Sequence, residues 1–143
     1  MTDMPEFDLE SFTPYRLAIA AQRASEELAR QYRTRFGISI AEWRVLAHLA
    51  LAVDVSVRDI QTRVGMEKSK VSRAASRLEA NGYLSKTANP DDGRLVSLAL
   101  TAKGRRMMKE LAPVAKAYEA ELMDMLGQEG PAFRDGIAKL LRD

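Results

Sequence analysis

The chain contains no cysteine. Disulfide bracing, thiolate metal sites and thiol-based peroxide sensing are therefore excluded. Its only histidine, His48, stands among Leu46, Ala47 and Leu49, where a structural or a surface role fits better than metal ligation or base catalysis. There is no GxGxxG or GK[ST] phosphate loop, and the one adjacent acidic pair outside the helical stretches, Asp91-Asp92, sits in a turn. An enzyme has no starting point here, and no cofactor or metal is expected. No apolar run reaches 18 residues, so no membrane span is expected. Met1 to Glu10 is acidic and lacks the charged and apolar regions of a signal peptide, which points to a cytoplasmic location.

Net charge is also scarce, at +2, but it is unevenly placed. Ser56 to Arg106 carries 11 Lys and Arg against 5 Asp and Glu, and the remainder carries 11 against 15. A basic middle between acidic ends is the footprint of a nucleic-acid reader with a separate assembly region. Within that middle, Lys68 to Asn81 repeats at helical spacing: Val71, Ala74, Ala75 and Leu78 fall on one arc. Ser69, Ser72, Arg73 and Ser76 fall on the opposite arc, with Lys70 and Arg77 on its flank and no acid between Lys68 and Leu78. Short hydroxyls permit close approach and cations supply charge, the combination that a DNA major groove asks for.

The surroundings sharpen this reading. Ser56 can cap a short helix, Val57 to Val64, with Asp59 at the third position of a capping box, and Gly65 supplies a turn. Two helices joined in this way make a helix-turn-helix. Asn81-Gly82 is a left-handed helix stop. Tyr83 to Ala88 and Leu95 to Leu100 are strand-like, joined by the turn cluster Asn89-Pro90-Asp91-Asp92-Gly93-Arg94, and Val53 to Val55 can add a short third strand. The fold class is mainly α with a small β-hairpin: a winged helix-turn-helix flanked by terminal helices.

Elsewhere, Met1 to Phe12 reads as an arm anchored by Phe7, Leu9 and Phe12. Thr13 is expected to cap a helix running to Phe36, with Pro14 first in the helix, a Phe12–Leu17 staple, and a stripe of Leu17, Ala21, Ala24, Leu28, Tyr32 and Phe36. Ser39 to Glu42 is a capping box for a helix from Ile40 to Leu51, expected to bury Trp43, Leu46, Ala47 and Ala50. Thr101 caps a long helix to Leu126, striped by Met107 or Met108, Leu111, Ala115, Tyr118, Leu122 and Met125 and bent at Pro113. A last helix, Ala132 to Arg142, presents Phe133, Ile137, Leu140 and Leu141 on one side.

The run Lys68-Ser69-x-Val71-Ser72-Arg73, then Arg77-Leu78-Glu79-x-x-Gly82-Tyr83-Leu84, the wing motif Asp92-Gly93-Arg94 and the exit Leu100-Thr101-x-x-Gly104 together resemble the MarR (multiple antibiotic resistance regulator) family. The resemblance covers nearly the whole chain. It implies one domain over residues 1–143, with dimerisation helices at 13–36 and 101–142 around a DNA-binding core at 39–100. It further implies a homodimeric repressor on palindromic double-stranded DNA, released by a small, often anionic aromatic effector. Ser69, Lys70, Ser72 and Arg73 are then placed for base edges and adjacent phosphates, with Lys68 and Ser76 on the same helix, Arg77 toward the backbone, Arg94 toward a minor groove, Asp92 steadying the hairpin, and Ser56 as cap or phosphate donor. Effector candidates by resemblance are Tyr15, Arg16, Trp43, Arg44, Met107 and Leu111. The alternative function is a winged helix used only for protein contacts, which would favour apolar or aromatic groups where Lys70, Arg73, Arg77 and Arg94 stand.

Overall fold

Local capping chemistry sets most of the element boundaries. The computed structural model describes residues 3–51, 55–88, 91 and 96–142, as α1 (Thr13–Phe36), α2 (Ile40–Leu51), β1 (Val55–Ser56), α3 (Val57–Val64), α4 (Lys68–Ala80), β2 (Leu84–Ala88), β3 (Val96–Leu100), α5 (Ala102–Leu126) and α6 (Gly130–Leu141). Ser39 Oγ accepts from the Glu42 amide at 3.1 Å, and Glu42 Oε1 accepts from the Ser39 amide at 3.4 Å, a reciprocal box that opens α2. Ser56 and Asp59 repeat the device at α3, with distances of 3.0 and 3.3 Å. Thr101 Oγ1 accepts from the Gly104 amide at 3.1 Å and starts α5.

The start of α1 differs from expectation. Thr13 is the first helical residue and Phe12 the cap, without a side-chain bond. Phe12 meets the edge of Phe7, with centroids 5.1 Å apart, and both Phe12 and Leu17 are exposed. Arg16 Nη1 instead fastens the approach by donating to the Glu10 carbonyl at 2.9 Å. The expected anchors Phe7, Leu9 and Phe12 remain exposed on the protomer.

The sheet has the order β1–β3–β2 and is antiparallel throughout. Val55 lies opposite Leu98 and Ser56 opposite Ser97; Leu84 faces Leu100 and Ala88 faces Val96. The third strand expected at 53–55 is thus present at Val55, while Val53 lies outside the described residues. Leu84 and Leu98 turn inward onto the core.

That core is built around α2. Val45, Leu46 and Leu49 meet Ile60 of α3, Val71, Ala75 and Leu78 of α4, and Met107 and Leu111 of α5, with Ala29 and Tyr32 from α1. Of the expected face of α2, Leu46 is sealed, but the buried arc is centred elsewhere. Trp43 and Ala47 are only half-buried and Ala50 is exposed, whereas Val45 and Leu49 are sealed together with the polar Glu42 and His48. Trp43 stacks on Tyr32 at 5.6 Å and 23°. Burial pushes the Tyr32 hydroxyl up to about 12.

α5 continues through Pro113. Its stripe is sealed at Met107 and Leu111, half-buried at Ala115, Tyr118 and Leu122, and open at Met125. A short 3₁₀ turn, Gly127–Glu129, leads into α6, which begins at Gly130 rather than Ala132. The outer half of α1 follows the same gradient: Tyr32 is buried, Leu28 and Ala24 half-buried, and Ala21 and Leu17 exposed.

Candidate nucleic-acid interface

The helix-turn-helix is α3, a turn and α4. Gly65 takes the left-handed conformation the turn needs, at φ 65°. The Glu67 carbonyl accepts from the Lys70 and Val71 amides at 3.0 and 3.1 Å, which starts α4 without a side-chain cap. At the far end, the Gly82 amide donates to the Glu79 carbonyl and the Tyr83 amide to the Leu78 carbonyl, both at 2.9 Å. This is a Schellman stop, with Gly82 at φ 83°.

Between these ends α4 is two-faced. Val71, Ala74, Ala75 and Leu78 are buried against α2, α3 and the sheet. Lys68, Ser69, Lys70, Arg73, Ser76 and Arg77 are exposed, and Ser72 is half-buried. Burying one Leu is worth about 2 kcal/mol, so the inner face holds the helix in register and the outer face is free of packing duties. Among the described residues, Lys68, Lys70 and Arg73 have no hydrogen-bonding or ionic partner.

Two outward groups do have partners, and the sequence reasoning missed both contacts. Lys86 Nζ of β2 donates to Ser76 Oγ at 2.8 Å, tying the hairpin to α4. Arg77 Nη1 lies 3.9 Å from Glu42 Oε1 of α2. The Ser39–Glu42 signature marked Glu42 as a cap; nothing in its spacing from Arg77, 35 positions on, announces an ion pair. Asp92 and Arg94 lie outside the described residues. Ser56 is half-buried and serves as the α3 cap, and its hydrogen bonds hold the Asp59 carboxyl below the usual carboxylate range.

The six effector candidates do not meet in one place on the protomer. Met107 and Leu111 are sealed in the core, and Trp43 packs on Tyr32 while Arg44 is exposed. Tyr15 and Arg16 stand on the rim of a groove between α1, α5 and α6, lined by Leu17, Leu122, Met125, Phe133 and Ile137. Across that groove, Tyr118 Oη donates to Glu27 Oε2 at 3.0 Å, and burial together with the Glu27 carboxylate raises the phenol. Among the described residues there is no metal-ligating cluster and no helix long and apolar enough to cross a membrane.

This architecture has known counterparts. Residues 36–95 match the profile of the MarR family. The chain is 31% identical over 93 residues to the HTH-type transcriptional repressor MdtR of Bacillus subtilis, an alignment covering 65% of this chain and 60% of MdtR. Among solved structures, a MarR family regulator from Silicibacter pomeroyi is 27% identical with a TM-score of 0.76, the match covering 98% of this chain and 94% of that one. The PcaV regulator of Streptomyces coelicolor, solved in complex with its natural ligand, is 27% identical with a TM-score of 0.79, over 97% and 98% of the two chains. The winged-helix core of the chain thus matches the MarR family of DNA-binding transcriptional regulators, and the fold is similar to theirs over nearly its whole length.

Proposed function

We propose that this protein is a dimeric repressor that grips a palindromic duplex with two α4 helices, one in each of two successive major grooves. The carrying observation is the outer face of α4, where Ser69, Lys70, Arg73, Ser76 and Arg77 are exposed on a helix whose inner face is fully packed. Hydroxyls and cations there suit base edges and phosphates, and no apolar group on that face offers a protein partner a core to bury. Ser69, Lys70, Ser72 and Arg73 take the base edges and neighbouring phosphates, Lys68 and Ser76 support them, and Arg77 meets the backbone. Arg94 reaches a minor groove, where narrow A·T-rich DNA attracts a guanidinium, and Asp92 steadies the hairpin. Ser56 caps α3 and adds a phosphate contact.

The body of the dimer is the apolar surface of α1, α5 and α6. Phe133 at 40%, Leu140 at 66% and Leu141 at 65% exposure leave apolar side chains of α6 open on the protomer, and exposed apolar surface of this kind marks an association face. Two reading heads fixed on one symmetric body bind jointly, which multiplies the modest affinity of one head. A small-molecule effector at the junction of body and head releases the DNA; MdtR's name as a repressor and PcaV's ligand support that part of the reading. The working place is the cytoplasm, on the nucleoid.

The test combines sedimentation with DNA binding by fluorescence anisotropy, on duplexes recovered from a random-sequence pool. The expected outcome is a dimer whose binding weakens steeply as salt rises, because phosphate contacts release counterions. A monomer at micromolar concentration, or binding without salt dependence, overturns the proposal.

A further inference from the structure

Glu42 is an unusual residue for the inside of a reading head: a carboxylate only 5% exposed, in the first turn of α2. Its capping role accounts for one contact, the Ser39 amide at 3.4 Å. The same oxygen, Oε1, also faces Arg77 Nη1 at 3.9 Å, while the Arg77 side chain is 72% exposed. One end of the guanidinium is therefore turned to a fixed, buried negative charge, and its remaining N–H groups are left for whatever lies outside. Arginine carries five donors in a rigid fork, so it can hold a carboxylate on one edge and a phosphate on another.

The carboxylate is itself held in place. Trp43, its neighbour in sequence, stacks on Tyr32 of α1, which is 2% exposed. The first turn of α2 is thereby pinned both to Ser39 and to the long helix of the body. Building on the DNA-binding reading above, we infer that Glu42 is a positioning residue that aims Arg77 at the DNA backbone, and that the aim depends on how α1 sits against α2. Arg77 lies in the last turn of α4, away from the groove-facing start of the helix. An unguided arginine there would sample many phosphates weakly; a guided one favours the register in which α4 is fully seated.

Glu42→Gln is the diagnostic change, because glutamine serves in a capping box as well as glutamate does and nearly preserves volume, so only the charge is lost. The duplex is one selected from a random pool by the wild-type protein, with a scrambled duplex as reference. Affinity for the selected duplex is expected to fall roughly two- to five-fold, the range of an exposed ion pair. Affinity for the scrambled duplex should hold or rise, since net positive charge increases, and melting temperature should stay unchanged. The loss should vanish in an Arg77→Gln background, the mark of two groups acting as one. Equal losses with and without Arg77, equal losses on both duplexes, or no loss at all would overturn the inference while leaving DNA binding intact. A wild-type protein that selects no duplex sinks the DNA-binding reading itself, and this inference with it.

Discussion

Replacing Gly104 by alanine should destabilise the protein, although helix propensity argues the opposite. Gly104 is in the first turn of α5 and is buried. In a helix, alanine is favoured over glycine by about 1 kcal/mol. Here, however, an added Cβ would intrude on the Tyr83 carbonyl oxygen, lie 3.0 Å from the Tyr83 carbonyl carbon and 3.2 Å from Leu100 Cδ2. Backbone cannot swing aside as a flexible side chain can, so the helix must shift off the hairpin. Overpacking of this kind costs about 1–3 kcal/mol. The same carbonyl accepts from the Thr101 amide at 3.1 Å, and weakening that bond adds about 1 kcal/mol. After the propensity gain is subtracted, the net loss is about 1–3 kcal/mol, or roughly 3–12 °C in Tm for a chain of this length. Urea unfolding at matched protein concentration measures it, the matching being needed because self-association raises apparent stability. A Gly104→Ala protein as stable as the parent would refute the close approach of α5 to Tyr83, and with it the geometry that joins head to body.

Other expectations follow from the same surfaces. Arg73→Ala should cost about 1–3 kcal/mol on a selected duplex if the guanidinium reads a base; equal loss on scrambled DNA in the anisotropy assay would reassign it to phosphate. Ile137→Glu with Leu140→Glu should convert dimer to monomer in sedimentation without loss of helical circular dichroism, and a persisting dimer would remove α6 from the interface. His48 is held below the usual histidine range, first by burial and then by Arg63, whose Nη1 is 3.5 Å from Nε2. The unfolded chain therefore takes up that proton more readily than the folded one, so stability should decline as pH falls through about 6.5. Unfolding free energies measured between pH 7 and 5 should be flatter in His48→Gln, and identical slopes would show that His48 does not titrate.

The elements whose boundaries were legible in the sequence are those written by contacts three or four residues apart. Ser39–Glu42, Ser56–Asp59, Thr101–Gly104 and the Asn81-Gly82 stop each formed where local chemistry placed it. The two faces of α4 were legible for a related reason: one side is small and polar, so the periodicity has a single solution. α2 is the contrary case. It touches α1, α3, α4, α5 and β3, and a helix apolar on most sides gives no phase from which to choose between Trp43 and Val45. Phe12 packs edge-on to Phe7, a contact that the capping pattern at Thr13 does not encode. The Glu42–Arg77 contact was illegible because only the tertiary fold sets those positions side by side. The effector candidates came from resemblance alone, and the protomer scatters them between core, surface and groove.

The two-residue strand at Val55–Ser56 carries a consequence out of proportion to its length. Ser56 is at once a rung beside Ser97 and the first anchor of the following helix. Hairpin and helical pair are thus riveted at a common pivot and must tilt as a single hand. A change of twist in the hairpin is then felt as a change in how deeply the fingers sit. Loosening that one rivet should blur both grips on a duplex together, even though neither gripping surface has been touched.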